Sequence, residues 1–375
     1  MRKVLILGAG SAQVDAINHL AKKGYEVYGC SNSDADRGVP LFHHFEPIDI
    51  ADREKVADYA ERTGVGIVYS VGSDIAMPTV SFVSEALNLP HFVSYETSSV
   101  CNSKHSLRAF LGEKFTGNLK FITAETLEEA LAFDAYPCML KPVDSQGQRG
   151  VYRIDSKDGL FENFEKAKRF SRSGRVILEQ FVEGREVSVN AYMLDGVLAF
   201  SIVSDRVSFN EFPGGIVSGH RLPTGITDKK ALDNIGSLVN RTIRRLSILN
   251  GPVYFQIKLR GSDAHLIEVT PRLDGCHMWN LIRRHCGVDL LSAAFDHLVG
   301  QKRPSLTPTF AVPHRLDFMC LPPGAAVDRG GFCVNGACFV EWYYENGDLV
   351  RPINGYMEKC GYAIRKDETA DGGGS

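Results

Sequence analysis

The chain has 375 residues, 44% hydrophobic and 23% charged, with a net charge of −3. That balance belongs to a folded protein long enough for more than one packed core. It carries neither the basic footprint of a nucleic-acid binder nor a polybasic membrane face, and no stretch approaches the ~18 apolar residues of a membrane span.

The first hundred residues alternate strand and helix. KVLILGAG is a continuous apolar run, too short for a signal peptide and suited to a strand buried on both faces. SAQVDAINHLAKKG has apolar residues at helical spacing and stops at Gly24. YEVYGC predicts a second strand, DREKVADYAERTG a helix, VGIVYSV a third strand and AMPTVSFVSEALN a third helix. This βαβαβ order predicts a parallel sheet with right-handed crossovers.

From about residue 100 the pattern changes. SVCNSKHSLRAFLGEKF predicts a helix, and YPCMLKPV and GVYRI predict strands flanking a polar loop. LFENFEKAKRFS predicts a helix; RVILEQFV, REVSVNAYML and VLAFSIVSDR predict antiparallel strands. VSFNEFPGGIVSGHRLPTG is expected to be a long irregular loop. A helix over DKKALDNIGSLVNRTIRRLSI leads to the strand pair GPVYFQIKLRG and AHLIEVTPR. One helix is expected over CHMWNLIRRHCGVDLLSAAFDHLVG, ending at Gly300. Pro304 and Pro308 then mark a boundary before a small β-rich piece.

Nine cysteines without a CxxC pair suggest reduced thiols and a cytoplasmic protein. Cys276, His277, His285 and Cys286 match no common zinc spacing, and packed or hydrogen-bonded roles are expected for them. The turn GAGSAQ, residues 8–13, has Gln13 where a dinucleotide fingerprint needs its third glycine, which argues against NAD. A plain tight turn, or an anion held at the helix start, remains open.

The loop after Lys141 is not a P-loop, because its lysine precedes it. Glu179 ends an apolar strand; Gln180, Phe181 and Val182 form an extended linker, and Glu186 opens the next strand. Such a passage offers an apolar slot with a backbone edge for adenine and a carboxylate for ribose hydroxyls. In the hairpin YFQIKLRGSDAHLIEVTPR, Glu268, Thr270 and Arg272 are expected to share a face, since side chains two apart do so on a strand, with Gln256 across from them. A carboxylate and neutral oxygens beside an arginine suit a Mg²⁺–phosphate site.

The ordered set of Lys104, Lys141 with its flap, LEQFVEGREVSV, Gln256 and EVTPR resembles the ATP-grasp superfamily. It is most similar to its carboxylate–amine ligases. The resemblance implies an α/β and α+β fold: a Rossmann-like parallel α/β domain over 1–98, a two-lobed ATP-grasp domain over 99–305, a β-rich subdomain over 306–368 and a disordered tail over 369–375. The flap lobe would span about 115–178 and the catalytic lobe about 179–305. ATP would be bound by Lys104, Lys141, Ser145, Gln146, Gly147, Glu179, Gln180, Phe181, Val182, Glu186, Gln256 and Glu268. Mg²⁺, or Mn²⁺ in its place, would sit on Gln256, Glu268 and Thr270, the last where the family usually has asparagine. Arg272 and Lys141 would be catalytic.

The reaction implied joins a small carboxylate to an amine through an acyl phosphate, releasing ADP and phosphate. Asp74 is expected to hold the ammonium, with the loop carrying His220 and Arg221 closing over the substrate beside Arg272. A homodimer is compatible with this reading, and no nucleic acid or membrane partner is expected. Transfer to a non-amine acceptor and nucleotide binding without turnover are the alternatives.

Overall fold

The computed structural model describes residues 2–145, 149–209, 211–212, 215–300 and 304–368. The N-terminal sheet is parallel, in the order β3-β2-β1-β4. Its strands are β1 (Lys3–Leu7), β2 (Glu26–Cys30), β3 (His44–Glu46) and β4 (Ile67–Tyr69), interleaved with helices α1 (Ser11–Lys22), α2 (Arg53–Thr63) and α3 (Ala76–Ala86). β1 lies between β2 and β4, and Val4 to Leu7 are fully buried. The short edge strand β3 has no apolar run to announce it. α2 starts on the Asp52 cap and stops at Gly64, which takes the left-handed conformation at φ 64°.

Gln13 explains the missing third glycine. Its side chain folds back under the turn and Nε2 donates to Val71 O at 2.7 Å. A Cβ on Gly8 or Gly10 would meet that amide at 3.2 or 3.3 Å. The space beside the turn is thus filled from within.

The region read as one helix near residue 100 is two, α4 (Tyr95–Asn102) and α5 (Lys104–Leu111). Ser103 divides them because its hydroxyl caps α5 by accepting from Ser106 N–H at 3.2 Å. A four-stranded antiparallel sheet follows, in the order β5-β8-β6-β7. Its strands are β5 (Phe121–Ala124), β6 (Cys138–Pro142), β7 (Tyr152–Ile154) and β8 (Val176–Gln180), with helices α6 (Leu127–Ala130) and α7 (Lys157–Lys168). Leu160, Phe164 and Ala167 of α7 pack with Leu140 and Leu178 in one core.

The largest sheet has eight strands, in the order β13-β12-β9-β10-β11-β14-β16-β15. These are β9 (Arg185–Leu194), β10 (Val197–Phe209), β11 (Ile216–Leu222), β12 (Gly251–Arg260), β13 (Asp263–Thr270), β14 (His314–Leu321), β15 (Ala337–Trp342) and β16 (Glu358–Lys366). The expected irregular loop is therefore mostly strand: β10 runs to Phe209, and β11 carries His220 and Arg221. β11 pairs with β14, with Leu222 opposite His314, so the C-terminal strands extend the same sheet. α8 (Lys229–Arg245) lays Ile235, Leu238, Val239 and Ile243 over β12 and β13. The long helix expected near the end is two, α9 (Met278–Cys286) and α10 (Leu290–Val299), parted by Gly287 at φ 82° and ended at Gly300.

The small sheet and the large sheet face each other across a cavity of about 1290 Å³. The linker between β8 and β9 forms its back. Gly184 in that linker stands at φ 134°, and a Cβ there would lie 1.8 Å from Leu259 O. Gly184→Ala should therefore cost stability at or beyond the top of the ~1–3 kcal/mol range for overpacking, because the obstacle is backbone. Urea unfolding of the variant beside the parent measures this.

Candidate active site

The small sheet supplies Met139, Lys141, Gln180 and, just past it, Phe181 and Val182 to the cavity wall. Phe181 is held by cations: the Arg153 guanidinium lies 4.5 Å and Lys258 Nζ 5.0 Å from its ring centroid. With Leu119, Met139, Val151 and Val182 it forms an apolar slot. Two of the linker donors expected to face a base do not: Gln180 N–H bonds Lys120 O and Phe181 N–H bonds Pro137 O.

Beyond the slot stand Lys104 and Lys141. Lys104 Nζ donates to Ser145 O at 3.1 Å, which fastens α5 to the start of the flap loop. Ser145 is buried at the wall, and among the described residues its hydroxyl has no partner. Gln146 and Gly147 lie outside the described residues.

Glu179 differs from its expected part. It lies in the interior, 1% exposed, and is absent from the cavity wall. Its Oε1 accepts from Arg108 Nε at 2.6 Å and its Oε2 from Lys141 Nζ at 2.5 Å. Burial pushes this carboxyl up, but Arg108 and Lys141 overcome it and hold the group down from 4.5 to about 2. Arg108, equally buried, also donates to Ile267 O at 2.8 Å on β13. Glu179 is thus a positioning group that orients Lys141 and ties the two sheets together. Sequence reasoning missed Arg108, although an arginine inside the buried Leu107–Leu111 stripe of α5 was a readable signal.

Gln256 and Glu268 are brought together as expected, directly opposite one another on β12 and β13. Gln256 Nε2 donates to Glu186 Oε1 at 2.6 Å, leaving its amide oxygen as an acceptor. Arg206 Nε lies 2.7 Å from the same Glu186 oxygen. Glu268 lines the cavity, and among the described residues its carboxylate makes neither a hydrogen bond nor an ion pair. Burial first, and then the charge of Asp74, raise its carboxyl above the ordinary value. Lys104, Arg272 and Arg206 act on it from a distance but, among the described residues, no cation touches it, and the pair of Glu268 and Gln256 oxygens fits a hard divalent ion.

Thr270 and Arg272 do not share the wall with Glu268. Thr270 is two steps on from Glu268 in a regular ladder, opposite Tyr254, but it is 2% exposed and absent from the cavity wall, and among the described residues its hydroxyl has no partner. β13 ends there, and Arg272 lies in the following turn. Its Nε and Nη2 donate to Asp74 Oδ1 at 2.6 and 2.5 Å, and Nη1 donates to Leu273 O. Asp74 reaches the cavity with one oxygen already engaged. His220 belongs to no closing loop; it is fully buried on β11, and burial pushes it down to about 4. Arg221 does reach the wall, 4.0 Å from Asp367.

The cysteine–histidine pattern forms no cluster. His285 Nδ1 bonds Val312 O, Cys286 bonds Ile282 O, and all nine cysteines are free thiols. One group of potential ligand atoms is found among the described residues, Asp15, His277 and Glu341 within 4.8 Å of one another. Its members are engaged in protein contacts: His277 with Asp15 at 2.9 Å and Tyr343 at 2.7 Å, and Glu341 with Arg37 at 2.5 Å. It joins α1 to β15 and lines no part of the cavity.

The model of the ATP-grasp domain matches residues 134–279, the stretch from just before β6 through the first residues of α9. The chain carries an ATP-grasp domain. Over 200 residues it is 28% identical to the mitochondrial ammonia-dependent carbamoyl-phosphate synthase of Homo sapiens, covering 52% of this chain and 13% of that protein. Over 262 residues it is 26% identical to the ATP-grasp enzyme fsqD of Aspergillus fumigatus, covering 59% and 45%. The chain thus spans less than half the length of these curated relatives. The fold of the whole chain is similar to that of the L-amino acid ligase from Bacillus licheniformis, with a TM-score of 0.79 at 17% identity over 99% of this chain and 95% of that one. Among the described residues, no helix is long and apolar enough to cross a membrane.

Two outcomes follow from the buried groups. Glu179→Gln leaves Arg108 buried without its counter-charge and should cost about 3–5 kcal/mol at neutral pH. The native carboxyl is depressed, so its contribution is full above pH ~4.5 and is lost as the pH falls toward ~2. Urea unfolding across that interval should show parent and variant converging. At Thr270, Val should be tolerated because it removes an unpartnered hydroxyl, whereas Asn should cost ~1–3 kcal/mol by burying an amide without partners. Their urea midpoints should move in opposite directions or differ by at least that amount.

Proposed function

We propose that the protein is an ATP-dependent carboxylate–amine ligase acting on small molecules in the cytoplasm. One observation carries this reading. A single cavity joins an apolar slot at Phe181, two lysines, an unpartnered carboxylate at Glu268 and a further polar end beyond Arg206. ATP placed with its base in the slot has its phosphates beside Lys104 and Lys141. A divalent cation on Glu268 and Gln256 supplies charge neutralisation for those phosphates.

The chain's own residues then position and stabilise. Lys141, oriented by Glu179, and Lys104 offset phosphate charge. An acid bound beyond Glu268 attacks the γ-phosphorus, giving an acyl phosphate and ADP; an amine displaces phosphate and leaves an amide. Arg272 is buried off the wall on Asp74, which does line the cavity, and its charge acts from there on negative charge developing beside Asp74. The free cysteines accord with a reducing compartment.

The deciding measurement is nucleotide product analysis with paired acids and amines. ADP and phosphate should form only when both are supplied; AMP and pyrophosphate would overturn the acyl-phosphate route. Glu268→Gln should lower kcat by about a hundredfold or more, the scale of losing a preorganised charged group, while urea stability is retained. Near-normal turnover in that variant at ordinary Mg²⁺ would remove Glu268 from the metal site.

A further inference from the structure

We propose that Arg206 is the catalytic guanidinium of the phosphoryl-transfer step, holding two oxygens of the phosphoryl group as it passes from ATP to the acid. The proposal rests on the ligase reading. It assigns the direct contact with the reacting atoms to a strand other than the one that leads to Arg272.

The two arginines are in opposite conditions. Arg272 is fully engaged off the wall: Nε and Nη2 meet Asp74, and Nη1 donates to Leu273 O. Arg206 lines the cavity, with its side chain 10% exposed. Its Nη1 donates to the Tyr254 hydroxyl at 3.0 Å. Its Nε lies 2.7 Å from Glu186 Oε1, an ion pair whose angle makes no hydrogen bond. Among the described residues Nη2 donates no hydrogen bond. A guanidinium carries five N–H donors, so most of this fork is unused. At the wall of a cavity, such a fork fits an anion that offers two oxygens.

The strand order brings the fork to the metal pair. Arg206 leaves β10 and reaches across β9 to Tyr254 on β12. Tyr254 is two residues before Gln256, so the two side chains stand on one face. The Glu186 oxygen beside Arg206 also accepts from Gln256 Nε2 at 2.6 Å. One carboxylate oxygen therefore links the guanidinium to the amide that stands opposite Glu268. The same wall carries the polar end, with Cys276 and with Lys359 Nζ at 3.6 Å from its sulfur. Arg206 thus belongs to both parts of the cavity, as a group at the reacting phosphorus must.

Its chemistry complements that of the lysines. Lys104 and Lys141 are point charges that offset phosphate charge throughout the step. A planar fork adds two parallel donors, matched to two equatorial oxygens of the phosphoryl group as it flattens. In that step a lone pair of the acid's carboxylate oxygen forms the new O–P bond. The P–O bond to ADP breaks, and ADP leaves with that electron pair. No proton moves, and Arg206 keeps all of its own. Glu186 and Tyr254 hold the guanidinium by its other edge, so the donors are set in place before the charge shifts.

The test needs neither the acid nor the amine. MgADP binding is measured by calorimetry with and without aluminium fluoride, which stands in for the flattened phosphoryl group. In the parent, aluminium fluoride should tighten ADP binding about tenfold or more. Arg206→Ala should bind MgADP alone within about threefold of the parent and lose that tightening. Arg206→Lys keeps a charge beside Glu186 without the fork, and its tightening should be at least about threefold smaller than the parent's. Thermal midpoints without nucleotide check folding, and Arg206→Lys decides if Arg206→Ala does not fold. A merely structural role would weaken MgADP and its aluminium fluoride complex by the same factor. That result, undiminished tightening in a folded variant, or no tightening in the parent overturns the proposal. Absence of MgADP binding to the parent would instead strike the ATP-dependent reading itself, and the proposal with it.

Discussion

The arrangement of the cavity depends on one buried carboxylate. Glu179 sits at the end of β8 in the small sheet, yet its partners come from elsewhere: Arg108 from α5 and Lys141 from β6. Arg108 continues the chain of contacts to the Ile267 carbonyl on β13. Helix, small sheet and large sheet therefore meet at two interior ions. A buried charge cannot be left alone, so each member fixes the others. Lys141 inherits its direction from this arrangement, and the cation that faces the cavity is oriented by a residue that does not.

Much of the framework was legible because it follows from periodicity. Buried parallel strands read as apolar runs, and α8 reads as an apolar stripe. The failures have physical causes. β11 is hidden by glycine: Gly219 reads as loop, but a Cβ there would strike Leu316 O at 2.5 Å, so glycine is what lets β14 approach. Gly287 conceals the break between α9 and α10 because a single glycine inside an apolar pattern does not announce a left-handed turn. β3 has too few residues for any pattern.

The site was legible where chemistry and register coincide. Gln256 and Glu268 face each other across one hairpin, and strand alternation suffices to pair them. Alternation stops being a guide at Thr270. The pairing stays regular from Gln256 opposite Glu268 to Tyr254 opposite Thr270, but Thr270 is buried at the strand's end, away from the cavity wall, and the strand stops before Arg272. Glu179 shows another limit. A glutamate at the end of an apolar strand signals a strong partner, but whether that partner is a ligand or an arginine from a distant helix is a tertiary fact. Asp274 and Lys359 lie far apart in sequence, and only the return of β16 to the large sheet brings both to Cys276, Asp274 at its backbone N–H and Lys359 at its sulfur.

The contact at Gly184 separates two kinds of sequence freedom. The linker rests against the Leu259 carbonyl, main chain on main chain, so no side chain sets the span between the slot and Glu186. Residues that face the slot can drift, changing its shape and preference, without altering that span. Position 184 itself cannot drift. For anyone re-engineering the chain toward another nucleotide, Gln180, Phe181 and Val182 are the editable letters and Gly184 is the fixed ruler against which they are placed.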